Sequence, residues 1–443
     1  MFKARHVHFI GIGGIGISAI AKMLIGQKVS VSGSDANDSL LIDELKKIGA
    51  DIFLGQSAHN IPNECELVVY TNAISNDNVE LVEAKKRGIR VISYPEALGE
   101  LSRGKFVIAV SGNAGKTTTT AMIGQILINA GFEPTIIVGS LANFTDKEGK
   151  LTRDNFILGR GEYFVIEADE YKRAFLNLEP KILAINNIER DHLDYYHDIS
   201  DIQSAFSELV AKVPENGFVI CSPKDKNLIP VLKSSHAKVI DYKDTSISEY
   251  TISIPGEHNR DNAKVSVTIA EILGVSKEVI GGSLSKFRGA WRRFEYKGKT
   301  KNGALLYDDY AHNPQKIKAV ITGTKEKFPD KRIVVIFQPH LFSRTKQLLR
   351  ELAESFVGAD RVIITPIYAA REAHDSSITH QILAEAIRES GTVKQVETID
   401  SQSEVLDLVK SENERTICLT VGAGDIDLVS EILHDKMESR EPT

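Results

Sequence analysis

Cysteine is scarce in this chain of 443 residues: Cys65, Cys221 and Cys418 are the only three, scattered along its length. That excludes a disulfide framework and a thiolate metal cluster, and leaves small buried hydrophobes as the expectation. Long apolar runs are missing too, none approaching the roughly 18 residues of a membrane-spanning helix. Positive charge is not in excess, since 54 Lys and Arg stand against 60 Asp and Glu for a net charge of −6. A nucleic-acid partner, which calls for a basic face, has no support. Internal repeats and low-complexity stretches are absent. Met1-Phe2-Lys3-Ala4-Arg5-His6 leads straight into an apolar strand, so no signal peptide is expected and the cytoplasm is the expected compartment. Hydrophobic residues at 42% and charged residues at 26% are ordinary for a globular enzyme. The length suits roughly three domains.

What is present is a pair of glycine-rich loops. The second follows the apolar run Phe106–Val110 and reads Ser111-Gly112-Asn113-Ala114-Gly115-Lys116-Thr117-Thr118-Thr119-Thr120. A strand, a glycine turn and a helix in succession aim backbone N–H groups and a helix dipole at a phosphate chain. Lys116 would reach the terminal phosphates of ATP, and the Thr117 hydroxyl would ligate magnesium. The spacing is G-x-x-G-K, shorter than the usual phosphate loop, and a chance Gly-Lys-Thr turn is the competing reading. Four threonines are poor helix formers, so hydroxyls at a helix start are better explained by ligand contact.

The first loop, Gly11-Ile12-Gly13-Gly14-Ile15-Gly16, follows His6–Ile10 and opens another helix. Gly11, Gly13 and Gly16 fit G-x-G-x-x-G, with Asp35 about 20 residues on. A dinucleotide oxidoreductase, a glycine turn that only permits tight packing, and a UDP-type ligand held by its diphosphate all fit that pattern. The lysine loop would be idle in an oxidoreductase. Two phosphate loops together point to an enzyme that joins a nucleotide-carried substrate to something else at the expense of ATP.

Carboxylates cluster downstream, in Glu167-Ala168-Asp169-Glu170 at the end of an apolar strand. Like charges repel unless a cation compensates, and magnesium held by one carboxylate, Thr117 and phosphate oxygens answers that need. A solvated acidic loop is the alternative. His192 closes Asn186-Asn187-Ile188-Glu189-Arg190-Asp191-His192 after the next strand. It is a second metal ligand if it meets Glu167, and otherwise a structural or surface histidine.

Along the chain, apolar strands alternate with amphipathic helical stretches, which reads as α/β with largely parallel sheets. Val7–Ile10, Val29–Ser32, Leu67–Tyr70 and Val91–Ser93 are the expected strands of a first domain, 1–103. Tyr163–Ala168 and Ile182–Asn187 join the lysine loop's strand in a second, 104–294. Arg288-Gly289-Ala290-Trp291-Arg292-Arg293 is hinge-like. Ala304–Asp308, Ile333–Phe337, Val362–Thr365 and Thr416–Val421 belong to a third domain, 295–443, and the polar tail from Ser439 is expected to fray.

Several further segments stand in a fixed order: Gly256-Glu257-His258-Asn259-Arg260-Asp261-Asn262, Trp291-Arg292-Arg293-Phe294-Glu295, Asp308-Asp309-Tyr310-Ala311-His312-Asn313-Pro314, Phe337-Gln338-Pro339-His340 and Gly422-Ala423-Gly424-Asp425. With the two loops and the acidic strand end they resemble the Mur ligase family over nearly the whole chain. The resemblance implies a Rossmann-like domain, then a P-loop ATPase-like domain, then a second Rossmann-like domain. It implies a ligase that adds L-alanine to UDP-N-acetylmuramate, with ATP and magnesium, in peptidoglycan precursor synthesis. Gly11, Gly13, Gly14, Gly16, Ser18, Asp35, Thr71 and Asn72 would hold the UDP-sugar. Gly112, Asn113, Ala114, Gly115, Lys116, Thr117 and Thr118 would hold the ATP phosphates, with Asn262 at the adenine and Arg293 and Asp309 closing on the nucleotide. Thr117, Glu167 and His192 would organise the metal. Tyr310, His312, His340 and Arg344 would form the amino-acid pocket, with His340 the candidate base for the alanine ammonium.

Three departures from the family pattern stand out. Asn113 and Ala114 replace the usual Thr and His or Asn of the loop, which puts side-chain contacts there in doubt but not the backbone cradle. Leu341 stands where many relatives carry arginine, so Arg344 would bear more of the carboxylate recognition. Glu170-Tyr171 is similar to relatives that attach a whole tripeptide, the alternative to alanine. The carbamylated lysine of later-acting members is not expected, since no lysine lies between His192 and Lys212.

Overall fold

The computed structural model describes residues 4–146, 148–192, 195–370 and 372–429; the tail from Ser439 lies outside them. Within these, three α/β domains each carry a largely parallel sheet. The first sheet has strands β1 (His6–Ile10), β2 (Ser30–Asp35), β3 (Asp51–Leu54), β4 (Leu67–Tyr70) and β5 (Arg90–Ser93), in spatial order β3-β2-β1-β4-β5. The second has β6 (Phe106–Ser111), β7 (Thr135–Thr145), β8 (Leu151–Ile157), β9 (Tyr163–Glu167), β10 (Ile182–Ile185), β11 (Phe218–Cys221) and β12 (Lys238–Asp241), in order β12-β11-β10-β6-β9-β7-β8. The third has β13 (Glu295–Lys299), β14 (Leu305–Asp309), β15 (Arg332–Phe337), β16 (Arg361–Ile364), β17 (Gln395–Thr398) and β18 (Thr416–Val421), in order β13-β14-β18-β15-β16-β17. Among the named strands of the described residues, β7 with β8 and β13 with β14 are the pairs that run antiparallel.

Central strands such as β1, β6 and β18 are apolar runs because helices cover both faces of a parallel sheet. These are the strands legible from composition. Strands β3, β7, β8, β11, β12, β13 and β17 were not expected. Several of them lie at or near a sheet edge, where half-exposed polar residues such as those of β8 and β17 blur the pattern. The expected Tyr163–Ala168 and Ile182–Asn187 stop earlier, at Glu167 and Ile185, where polar side chains turn toward the sheet's carboxyl end. All three cysteines are buried and unpaired, as expected.

The chain divides into two compact units, Met1–Thr251 with Asp261–Phe287, and Ile252–Arg260 with Arg288–Thr443. The first unit holds two sheets because one core runs through both: Ala97, Leu98 and Leu101 pack in the same cluster as Phe175 and Leu178. A polar clamp adds to it. The buried Lys22 ammonium, on helix Ile15–Gly26, donates to Asp154 (2.6 Å), Glu44 (2.9 Å) and Asn155 (3.1 Å). Asn155 in turn donates to the Ile15 carbonyl (2.5 Å) and Ser18 hydroxyl (3.0 Å). Burying that lysine is tolerable only because carboxylates and an amide oxygen surround it.

Candidate active site

In the first unit, β6 delivers the lysine loop to the head of helix Lys116–Ala130. Gly112 (φ 120°) and Gly115 (φ 80°) occupy backbone conformations that L side chains rarely adopt. Space demands glycine as well, because a Cβ on Gly112 would lie 2.8 Å from the Asn187 carbonyl and one on Gly115 would strike the Asn262 amide. Of the two residues in doubt, Asn113 has a side-chain contact, its Oδ1 accepting the Glu189 N–H (2.6 Å), while the Ala114 N–H donates to Asn187 Oδ1 (2.9 Å). Ala114 thus contributes through its backbone. Of the four threonines, Thr119 donates to Asn262 Oδ1 (3.1 Å) and Thr120 to the Lys116 carbonyl (2.8 Å). Ligand contact therefore does not explain all four hydroxyls. Asn186, on the next strand end, bridges Ala114, Thr119 and Asn262 through its amide nitrogen.

Lys116 Nζ donates to the Gly112 carbonyl (2.6 Å) and to both oxygens of Glu170 (2.8 and 3.0 Å). Glu170 also faces His192 Nε2 at 3.4 Å. Burial works to raise the Glu170 pKa, but its bonds to His192 and Lys116 outweigh it and hold the carboxyl below its ordinary range. The same contact with Glu170 raises the His192 pKa against burial. His192 is further seated by the Tyr171 ring, 4.9 Å away between centroids.

Glu167 and His192, expected to organise a metal together, have different polar partners in the structure. Asp169, Glu170 and His192 offer ligand atoms within 4.8 Å of one another, and Glu167 is not in that group. Glu167 Oε2 instead accepts the Gly139 N–H (2.7 Å), and the Thr117 hydroxyl bonds to the same carboxylate. Burial pushes the Glu167 pKa up, opposed by Lys116. Gly139 was missed from sequence. Its signal was a glycine breaking the apolar run Ile136-Ile137-Val138, where a Cβ would lie 2.8 Å from the Glu167 carboxyl carbon.

The first glycine loop lies at the carboxyl end of β1. The Gly11 and Ile12 N–H groups donate to the Ser34 carbonyl (2.8 and 3.0 Å), and Gly13 N–H to Asp35 Oδ2 (2.9 Å). Asp35 therefore braces the loop that it was expected to serve as a ligand contact. Thr71 packs its methyl against Gly11, where a Cβ would come within 2.5 Å. Gly14, Gly16 and Asn72 lie in or near the same turn region, all at least partly accessible. Ser18, expected at the UDP-sugar, is fully buried, donates to the Ile15 carbonyl (2.8 Å) and accepts from Asn155. Helical periodicity turns it inward, toward β8.

In the second unit, Arg292 is sealed among Asp308 Oδ2 (2.9 Å), the Gly424 carbonyl (2.7 Å) and the Gly422 carbonyl (2.5 Å). The Tyr310 ring lies 5.2 Å from the Arg292 guanidinium and 5.3 Å from that of Arg293. Asp309 accepts the N–H groups of Phe294 and Ala311, both at 2.8 Å, so it shapes the chain around Arg293. Burial raises its pKa, with Arg293 opposing.

Tyr310, His312, His340 and Arg344 are brought together. Ring centroids lie 5.3 Å apart for Tyr310 and His312 and 6.2 Å for His312 and His340. Burial drops the His312 pKa to about 3, so its ring is neutral at working pH. Its Nδ1 lies 2.9 Å from the Tyr310 carbonyl, which can only accept, so the proton sits on Nδ1 and Nε2 keeps a lone pair. His340 is arranged the other way. Arg344 can only donate, and its Nη1 lies 3.2 Å from His340 Nδ1. The neutral His340 ring in this arrangement carries its proton on Nε2, and its lone pair, the one expected to act as a base, is engaged by Arg344. Tyr368, missed from sequence, stacks on His340 at 5.7 Å.

Comparison with known proteins covers nearly the whole chain. Residues 6–106 match the model described as Mur ligase family, catalytic domain; 110–248 match the Mur ligase middle domain; 292–424 match the Mur ligase, glutamate ligase domain. A UDP-N-acetylmuramate–L-alanine ligase of Clostridium kluyveri is 38% identical, over 97% of this chain and 98% of its own. One of Acetivibrio thermocellus is 40% identical, over 98% and 97%. Among solved structures, the UDP-N-acetylmuramate-alanine ligase of Thermotoga maritima superposes with a TM-score of 0.79 at 28% identity, covering 97% of this chain and 98% of that one. The chain belongs to the Mur ligase family.

Proposed function

We propose that this protein joins L-alanine to the carboxylate of UDP-N-acetylmuramate at the expense of ATP, as a step of peptidoglycan precursor synthesis in the cytoplasm. The observation that carries the reading is end-to-end likeness to relatives named for that reaction. On this reading residues 1–103, 104–294 and 295–443 take the UDP-sugar, ATP and the amino acid respectively. No helix among the described residues is long and apolar enough to cross a membrane.

The chemistry follows from charge. The muramate carboxylate and the γ-phosphate are both anions, so an attack that makes an acyl phosphate and ADP needs neutralisation and alignment. Lys116 supplies a cation at the loop. Hard oxygen donors from Thr117, Glu167, Asp169 and Glu170, with His192, suit magnesium, which would screen the phosphate charge when bound. The alanine amine then attacks the acyl phosphate through a tetrahedral intermediate and releases phosphate. An ammonium cannot attack. His312, with its Nε2 lone pair free, is better placed than His340 to take that proton. Arg344 beside His340 would pair the alanine carboxylate.

Substrate identity is tested by ADP release with ATP, magnesium and UDP-N-acetylmuramate. Fast release is expected only on adding L-alanine, with UDP-N-acetylmuramoyl-L-alanine found by mass. Ligation of L-alanyl-γ-D-glutamyl-meso-diaminopimelate but not alanine would reverse the substrate assignment and leave the ATP chemistry standing. The metal reading has its own check. Glu167→Gln and His192→Ala should each raise the magnesium needed for half-maximal ADP release several-fold, with activity partly recovered at high metal. An unchanged magnesium profile in both removes them from the metal site.

A further inference from the structure

Tyr94 opens the helix Tyr94–Ser102 just after the edge strand β5, and it belongs to none of the motifs above. Its phenol end lies against Gly16 at the head of the first-loop helix. A Cβ on Gly16 would sit 2.6 Å from both the Tyr94 hydroxyl oxygen and the ring carbon that bears it. That explains the last glycine of the first loop: its missing side chain makes room for this ring. The ring is half-buried and packs on the core shared by both sheets of the first unit. Its hydroxyl makes no hydrogen bond among the described residues, and it is not one of the polar atoms sealed from solvent without a partner. A phenol placed only to fill space would gain nothing from such an oxygen. The acidic strand end is close by. Burial, with Asp169 and Glu167 adding to it, pushes the Tyr94 pKa up, so the group stays a protonated donor at neutral pH.

Resting on the functional reading above, we infer that Tyr94 is a binding residue for the nucleotide-sugar. Its O–H donates to an oxygen of the phosphate-linked sugar held by the first loop. The placement suits that role in two ways. The hydroxyl lies at a helix N-terminus, where backbone N–H groups already favour an anion. It also lies within the electrostatic reach of Glu167 and Asp169, the acidic strand end that the sugar's carboxylate must approach to meet the γ-phosphate. Tyr94 would thus fix the sugar end of the substrate as the glycine turn fixes the diphosphate.

Tyr94→Phe removes the donor and keeps the ring against Gly16. The full-length variant should bind UDP-N-acetylmuramate about tenfold more weakly by calorimetry, the usual loss for one hydrogen bond to a charged or strongly polar group. KM for ATP and for L-alanine should stay within about twofold of the parent, and the thermal midpoint should not move. Gly16→Ala, which drives a methyl into the phenol, should also weaken sugar binding. Equal sugar affinity in the parent and Tyr94→Phe overturns the inference and leaves Tyr94 as packing. Equal losses for ATP and sugar overturn it too, since the donor would then not be specific to the first loop. If the parent itself fails to bind the sugar nucleotide, the functional reading falls and this inference with it, a result visible in the parent titration alone.

Discussion

Lys116→Ala is expected to abolish ADP formation, by at least about 10²–10³-fold in kcat, while UDP-N-acetylmuramate binding survives. The lysine ammonium is bonded to the acidic strand end, between the Gly112 carbonyl and the Glu170 carboxylate. None of the bonds that shape the first loop, to Ser34 and Asp35, involves it. Removing it strands the buried Glu170 carboxylate with His192 as its remaining charged partner, so some stability should be lost as well. Coupled ADP release and calorimetric titration with the UDP-sugar, alongside a thermal melt, separate these effects. Loss of sugar binding in a variant that melts normally would mean that the two loops do not serve separate ligands.

The largest stability effect is expected at Arg292, not at any ligand residue. Arg292→Met should destabilise the second unit by about 3–5 kcal/mol, the usual cost of stranding one partner of a buried ion pair. Its guanidinium is 3% exposed and satisfies Asp308, which is fully buried, together with two glycine carbonyls. Burial already pushes the Asp308 pKa up to about 6 against the pull of Arg292. Without Arg292 the carboxyl would rise further and protonate. Asp308→Asn in the Arg292→Met background should therefore recover part of the loss. Arg292 sits at φ 55°, a strain that Met would share, so the comparison isolates the charge. Trp291, the single tryptophan, lies next to it and reports the unfolding of this unit by fluorescence in urea. Arg293→Met gives the contrast: Arg293 lies against the Tyr310 ring and near Asp309 without that sealed network, and it should change KM for ATP with little loss of stability.

Legibility from sequence varied with the kind of residue. Gly112 and Gly115 were readable because a phosphate loop needs positive φ and open space within a few residues of Lys116, and the chain writes both locally. The central strands were readable because burial on two faces demands unbroken apolar runs. The partly exposed edge strands β3 and β17 were not, since their exposure leaves no such demand. Gly139 and Tyr368 were missed because each matters through a residue far away in the chain, Glu167 for the first and His340 for the second.

By itself, then, the sequence determined which chemical groups were present: two glycine-rich loops, an acidic strand end, a histidine and arginine group, and the order in which parallel α/β units carry them. These are local facts, set by φ preference, helix and strand periodicity and adjacent charge. Only the tertiary structure decided who meets whom. It set Lys116 against Glu170, 54 residues on, and His192 with that same carboxylate in place of Glu167. It turned Ser18 inward to Asn155, 137 residues away, and gave the His340 lone pair to Arg344. Carboxylates three residues apart look alike in a sequence. Which of them is buried beside a cation depends on how the chain leaves its strand, and that is settled by packing among distant segments.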